Sequence, residues 1–99
     1  MFKEVRKRDY TKEIFDLNKI TEAICNAMQS CGNGTKEDAT NISLEVFDVL
    51  SERNGRIVNY IPSIEEIQDV VEQRLMLSQF LDVAKCYILY RNEQAQKRK

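Results

Sequence analysis

The chain has 99 residues, of which 42% are hydrophobic and 31% are charged, and its formal net charge is −1. This length suits one compact domain. The longest apolar run without a charge, at residues 86–90, is far shorter than the roughly 20 residues that cross a bilayer. The charged first residues are unlike an export signal, so we expect a soluble cytoplasmic domain with no membrane partner.

Charge is unevenly distributed along the chain. Residues 1–19 hold six cations and four carboxylates, residues 20–84 hold four and eleven, and residues 85–99 hold five and one. We therefore expect an anion to bind to the two ends of the chain, brought together by the fold. The acidic middle would repel a long polyanion, so no nucleic-acid partner is expected.

The residues needed for several kinds of catalysis are absent. The sequence has no histidine, and its three cysteines, Cys25, Cys31 and Cys86, form no C-x-x-C pair. Neither a structural zinc site nor a histidine-activated nucleophile is expected, and Cys25 and Cys31 are interpreted as small apolar residues. There is no G-x-x-x-x-G-K-[ST] loop, which disfavours an ATPase. Four carboxylates are interpreted as helix caps or solvated groups instead of a catalytic pair: Glu13, Asp16, Glu65 and Glu66.

The first 15 residues predict a β-hairpin. Residues 2–6 and 12–15 contain β-branched or aromatic side chains, and the polar residues 7–11 between them suit a turn. A two-stranded ribbon is marginal alone and needs a helical layer beneath it. The hairpin is therefore expected to cover a helical bundle.

Four amphipathic helices are predicted after the hairpin. The first begins after an Asp16 cap and stops at Gly32, and the second begins after a Thr35 cap and ends near residues 54–55. Residues 54–62 are expected to form a loop. A third helix follows a capping box of Ser63 and Glu66, and after a break at residues 76–80 a fourth helix runs into the polar tail. Tyr87 and Tyr90 on that helix are interpreted as core or rim residues, although they could stack on a base.

The residues from 7 to 20 concentrate cations where the hairpin meets the first helix. A helix N-terminus leaves unpaired N–H groups and carries a partial positive charge, so anions bind there. Lys19 lies in the first turn, and a hairpin folded over that turn would bring Lys7 and Arg8 close to it. The pattern indicates a phosphate site, although solvated surface charges would give the same pattern.

Four stretches resemble one known family. They read "VRKRD" at residues 5–9, "FDLNKITEAI" at 15–24, "SIEEIQDVVE" at 63–72 and "VAKCYILYR" at 83–91. Their order and spacing resemble the ATP-cone, the nucleotide-binding regulatory domain at the N-terminus of many ribonucleotide reductases. The resemblance extends from about residue 2 to about residue 93, and its wording is most similar to the anaerobic, class III enzymes.

The resemblance implies a fold, a ligand and site residues. The fold would be mainly α (α+β), with an N-terminal β-hairpin lid over a four-helix bundle. The ligand would be ATP or dATP, with Mg2+ held through the phosphates. Val5 would bond the adenine edge through its backbone, and Ile20 would pack against the base. Further contacts are implied for the phosphates at Lys7, Arg8 and Lys19, near the ribose and base at Glu13 and Asp16, and from the later helices at Gln68, Lys85 and Arg91.

The family pattern is broken at Tyr10, which stands where the ATP-cone usually has glycine. A position that needs a positive φ is costly for tyrosine, so the turn is where a difference in shape is expected. Residues 1–94 would be the ATP-cone and residues 95–99 a basic tail that begins a linker to a catalytic domain.

The expected function is allosteric control of the overall activity of a ribonucleotide reductase, with catalysis outside this domain. Its partners would be an adenine nucleotide, the catalytic domain of the same chain and other reductase subunits. Two alternatives stay open. A helical protein-interaction module would use the same stripes without a ligand, and a nucleotide-responsive transcriptional regulator would use the basic ends.

Overall fold

Two strands and four helices follow one another in a computed structural model that describes residues 3–97, with side chains described as far as residue 93. The elements are β1 (Glu4–Arg6), β2 (Lys12–Ile14), α1 (Leu17–Cys31), α2 (Lys36–Arg56), α3 (Ile64–Leu77) and α4 (Leu81–Lys97). This confirms a mainly helical fold with an N-terminal hairpin. Residues 1, 2, 98 and 99 lie outside the described residues; among them are Phe2 of the predicted first strand and Arg98 and Lys99 of the predicted basic tail.

The strands β1 and β2 are antiparallel, with Val5 opposite Glu13. The hairpin is also bonded to the bundle, because Arg6 forms a parallel bridge with Ser63 and its N–H donates to the Pro62 carbonyl oxygen at 2.9 Å. Val5 points inward and is 5% exposed. The expected lid is therefore anchored at the beginning of α3.

The turn of the hairpin contains the tyrosine that departs from the family pattern. Tyr10 has φ 69°, so the position does adopt the left-handed conformation that favours glycine. Hydrogen bonds hold the turn: Lys7 N–H donates to the Thr11 carbonyl at 2.8 Å, and the Thr11 hydroxyl donates to the Asp9 carboxylate at 2.6 Å. The Thr11 N–H also donates to the Asp9 carboxylate, at 3.1 Å, and the two bonds from Thr11 lower the pKa of the Asp9 carboxyl.

The four helices form an up-and-down bundle in which α1 packs on α2 and α4, and α3 packs on α2 and α4. Their inward faces are those of the predicted stripes. The fully buried side chains include Ile24 and Met28 of α1, Val46 and Leu50 of α2, Val70, Val71 and Leu75 of α3, and Val83 of α4. Within residues 3–97, no helix combines the length and the apolar character of a membrane-spanning segment.

The helix ends agree with the predicted caps in most places. The Asp16 carboxylate accepts from Asn18 N–H, Gly32 ends α1 at φ 74°, and Thr35 forms a complete capping box with Asp38. Position 34 favours glycine for two reasons. Its φ is 100°, and a Cβ there would lie 2.5 Å from the sulfur of Met28. These contacts set the sharp connection between α1 and α2.

One predicted helix end and one predicted capping contact were wrong. Helix α2 continues through Gly55 to Arg56; Gly55 is exposed, nothing lies within 4 Å of the position of an added Cβ, and Arg56 pairs with Glu52 one turn earlier at 2.7 Å. Of the two hydrogen bonds of the predicted capping box at α3, the structure shows one. Ser63 accepts from the Glu66 N–H, but the Glu66 carboxylate accepts from Arg53 of α2 and from the phenol of Tyr60.

Candidate functional site

A cavity of about 400 Å³ lies beneath the hairpin, a volume within the usual range of small-molecule sites. Its lining comes from the hairpin and the residues after it (Val5, Lys7, Glu13, Ile14, Phe15, Asp16), from α1 (Lys19, Ile20, Glu22, Ala23, Asn26), from α3 (Ile64, Ile67, Gln68) and from α4 (Tyr87, Tyr90, Arg91). Helices α1, α3 and α4 thus form the floor and walls, and the hairpin forms the roof.

The N-terminus of α1 opens into this cavity. Asp16, the cap, and Lys19 and Ile20 of the first two turns all line it. The cap satisfies one N–H of the first turn through the Asp16 carboxylate at 3.0 Å, and the helix dipole adds a partial positive charge at this end. The first turn therefore presents both an ammonium group and a helix terminus to the cavity.

Two lysines converge on one carboxylate at the roof of the cavity. The Glu13 side chain lies with one oxygen 3.9 Å from Lys7 Nζ and the other oxygen 3.9 Å from Lys19 Nζ. All three side chains are partly exposed. The hairpin cation and the α1 cation, which are 12 positions apart in the sequence, are therefore neighbours in space, as the sequence predicted.

Arg91 of α4 lies on the opposite wall, where its charge is already paired. Its guanidinium forms ion pairs with Glu72 and Asp69 of α3, and its side chain is 18% exposed. Partial burial lowers the pKa of Arg91, but the bonds to Glu72 and Asp69 outweigh this effect and raise it overall. Arg91 thus links α3 to α4 and also contributes cationic surface to the cavity.

Gln68, another residue of the lining, has a buried acceptor without a partner in the described part of the chain. The side-chain oxygen of Gln68 is buried and has no hydrogen-bond partner among the described residues, although Gln68 lines the cavity. A buried polar group without a partner is costly. A ligand or a water molecule with a donor group would relieve that cost at this wall.

Eight of the ten predicted site residues line the cavity: Val5, Lys7, Glu13, Asp16, Lys19, Ile20, Gln68 and Arg91. The structure does not bring the other two into it. Arg8 instead forms an ion pair with Glu65 at the first turn of α3, at 3.0 Å. Lys85 is exposed on α4, outside the lining.

Several lining residues escaped the sequence reasoning. Ile14, Asn26 and Ile64 line the cavity, and neither their type nor their spacing marks them as site residues. Ile14 is 80% exposed, which the sequence alone does not indicate. Of the two tyrosines, Tyr87 is a core residue, and Tyr90 is partly buried at the rim, as interpreted.

Comparison with known proteins places the chain in a family. Residues 3–96 match the family model described as the ATP cone domain. The chain belongs to the ATP-cone family. The match covers both strands and almost all of α4, so the hairpin roof and the helical floor of the cavity are parts of one family fold.

The similar proteins are ribonucleotide reductases. The chain is 49% identical to the vitamin B12-dependent ribonucleoside-diphosphate reductase of Thermoplasma acidophilum, over 94% of this chain and 12% of that protein. It is 37% identical to the ribonucleoside-diphosphate reductase subunit alpha of Chlamydia pneumoniae, over 93% of this chain and 9% of that protein. With the anaerobic ribonucleoside-triphosphate reductase of Haemophilus influenzae the identity is 31%, over 90% of this chain and 12% of that protein.

The ATP-cone is therefore a small, nucleotide-binding regulatory region in proteins roughly eight to eleven times its length, and the catalytic machinery of those reductases lies elsewhere in them. The relatives include both B12-dependent and anaerobic reductases. Identity is higher with the Thermoplasma protein than with the anaerobic one. These identities do not favour the anaerobic class over the B12-dependent class.

Proposed function

We propose that this domain binds ATP and dATP in the cavity under the hairpin and thereby controls the overall activity of a ribonucleotide reductase. The observation that carries the proposal is the convergence of Lys7 and Lys19 at the N-terminus of α1, inside a cavity of an ATP-cone. Two ammonium groups and a helix N-terminus are a suitable site for a polyphosphate.

The base would occupy the apolar part of the cavity. Val5 and Ile20 supply apolar surface there, together with Ile64 and Ile67 of α3. The unpaired oxygen of Gln68 is an acceptor for a donor such as an amino group. These features support adenine as the base, with Val5 at its edge and Ile20 against its face.

The phosphates would lie between the hairpin and α1. Lys7 and Lys19 are in place to hold them, with Mg2+ bound through the phosphate oxygens. Arg8 would have to leave Glu65, its partner at 3.0 Å, to join them. Lys85 is exposed on α4, so its predicted contact would require a long reach from outside the lining, whereas Arg91 already stands at the wall.

Regulation would follow from a difference in how the two nucleotides bind. ATP and dATP differ at one hydroxyl, and a ligand shifts an equilibrium only through different affinities for two states. Asp16, the cap of α1, lines the cavity and is the candidate for the ribose side, whereas Glu13 faces the two lysines. The states would differ in how the domain contacts the catalytic part of the same chain and other reductase subunits. In this proposal residues 1–94 form the regulatory unit, and residues 95–99 begin the connection to the catalytic part of the chain. Helix α4 extends into this connection as far as Lys97.

Calorimetric titration of the purified domain with ATP, dATP and GTP, in the presence of Mg2+, tests the proposal. We expect ATP and dATP to bind and GTP to bind at least about tenfold more weakly. The double variant Lys7→Ala/Lys19→Ala should lose about 2 kcal/mol of binding free energy, as expected when charge-assisted contacts to phosphate are removed.

A matched control changes the net charge equally but outside the cavity. Lys12→Ala/Lys36→Ala removes two exposed lysines that do not line it, and it should bind dATP within about twofold of the parent domain. Unchanged dATP affinity in Lys7→Ala/Lys19→Ala would refute the site. If no adenine nucleotide raised the melting temperature at all, a ligand-free interaction module would be the better reading.

A further inference from the structure

Glu13 occupies a particular position in the proposed site. It lies on β2 opposite Val5, and its two carboxylate oxygens each face a different ammonium group, those of Lys7 and Lys19, at 3.9 Å. A single anion therefore stands where two cations converge. In this arrangement the carboxylate fills the place that an anionic ligand would take between the same two groups.

The contacts of Glu13 are suited to being exchanged. At 3.9 Å the nitrogen and oxygen atoms are too far apart for direct hydrogen bonds, and the three side chains are between 34% and 68% exposed. Exposed pairs of this kind contribute only about 0.2–1 kcal/mol each. Glu13 thus limits the repulsion between two like charges without holding either of them firmly.

We propose that Glu13 is an internal counter-ion that the phosphate groups of the ligand displace, so that the affinity of the site depends on how many phosphates the ligand carries. This inference rests on the proposed nucleotide function. A ligand with few charges must compete with the carboxylate for the lysines and gains little from them. A triphosphate contacts both ammonium groups at once and outcompetes it.

A second cation of the hairpin turn is also paired with a carboxylate. Arg8 is held by Glu65 at 3.0 Å, so each of the three cations assigned to the phosphates has a carboxylate partner within the protein. Binding of a polyphosphate would then exchange internal ion pairs for contacts with the ligand. Because of this exchange, the affinity would rise more strongly with the number of phosphates that the ligand carries.

Titration of Glu13→Gln with adenosine, ADP and ATP tests the inference. Removal of the competing charge should raise the affinity for ATP about three- to tenfold, since the two pairs together are worth on the order of 1 kcal/mol. The affinity for ADP should rise less. The affinity for adenosine, which has no phosphate, should stay within about twofold.

Glu4→Gln is the matched control. Glu4 is exposed on β1 of the same hairpin, does not line the cavity, has no ion pair with another described residue, and loses the same charge in the variant. We expect less than a twofold gain for ATP there. In a Lys7→Met background, Glu13→Gln should gain less than it does in the parent, because one of the two competing pairs is already absent. Thermal denaturation of each variant shows that it is folded.

Each contrary result has a distinct meaning. Equal gains in Glu13→Gln and Glu4→Gln would overturn the inference, since the effect would then be one of general charge. Equal losses for adenosine and ATP in Glu13→Gln would also overturn it and would place Glu13 against the ribose or base. If the parent domain binds ATP and Glu13→Gln brings no gain, only this inference is lost. If neither protein binds ATP, the proposed function is lost with it.

Discussion

The middle of the bundle and the end beneath the hairpin are built in opposite ways. In the middle, apolar side chains from all four helices, among them Ile24, Val46, Leu75 and Val83, are 0% exposed. At the hairpin end, the lining includes partly exposed charged side chains, and Lys7 and Lys19 each lie 3.9 Å from their shared partner Glu13. Close packing supplies stability in the first region, and loosely paired charges leave the second region free to bind.

This difference teaches that stability and binding can be changed separately in this domain. A change in the packed middle should lower the free energy of unfolding and leave the affinity of the folded fraction unaltered. A change at the hairpin end should do the reverse. Arg91 and Tyr60 lie at the borders of the two regions and test how complete the separation is.

The largest expected effect comes from the packed middle. Leu75→Ala, at a residue that is 0% exposed, should lower the free energy of unfolding by about 3 kcal/mol, because lost burial and a residual cavity add together. Urea denaturation followed by circular dichroism measures this. Leu77→Ala on the same helix, at a residue 64% exposed, should change it by less than about 0.5 kcal/mol. Similar costs at the two positions would contradict the distinction.

Arg91→Met should affect both regions and should have the next largest effect. It leaves Glu72, whose side chain is 17% exposed, without its cation, and we expect a cost of about 2 kcal/mol, below that of a fully buried pair because water still reaches both groups. Combining it with Glu72→Gln should recover part of this cost. Additive losses in the double variant would show that the pair does not couple α3 to α4.

Tyr60→Phe tests the border between α2 and α3. The phenol donates to Glu66, so its removal should cost about 1 kcal/mol at pH 7. Burial and the bond to Glu66 raise the pKa of Tyr60 to about 12, above its value of about 10 in an unfolded chain.

The sign of the pH dependence follows from that raised pKa. The folded state favours the neutral phenol, so its stabilisation is fully present below about pH 10 and is lost as the pH rises through about 12. Unfolding measured across this range should show a shallower fall in Tyr60→Phe than in the parent. The fall should not vanish, because burial also raises the pKa of Tyr87. An unchanged slope would mean that Tyr60 does not titrate with unfolding.

The smallest expected effect lies in the hairpin turn. Tyr10→Gly relieves a residue with φ 69°, but it also makes the unfolded chain more flexible, so we expect a net gain of about 0.5 kcal/mol. Slower hydrogen exchange at the Lys7 amide, which donates to Thr11 across the turn, would report it locally. Asn59→Gly is the control, since Asn59 has φ 57° and asparagine tolerates that conformation. Equal gains at both positions would argue against strain specific to Tyr10.

Local patterns were enough to predict the elements and most of their ends. The stripe that begins at Ile20, the Asp16 and Thr35 caps and the Gly32 stop depend on neighbours within one or two turns, and the structure agrees with each. The end of α2 was missed because glycine is only a weak helix breaker, and the cost at an exposed Gly55 is offset by local pairing. Spacing alone could not reveal that offset.

The site was only partly predictable, for a physical reason. The meeting of Lys7 with Lys19 followed from a hairpin folded over a helix terminus, which is a short-range argument. The ion pairs of Arg8 with Glu65 and of Arg91 with Glu72 join residues 57 and 19 positions apart, and they depend on how the helices pack. Partners of this kind decide which cations are available to a ligand, and no periodicity in the sequence encodes them.

The Arg6 amide donates to the carbonyl of Pro62, so the hairpin over the cavity is linked directly to the residues that precede α3. Under the proposed function, a ligand that moves the ribbon would also move the residues at the start of α3 and, through the contacts of Arg53 and Tyr60 with Glu66, the C-terminal end of α2. Occupancy of the cavity would then displace a face of the domain that the nucleotide itself does not contact.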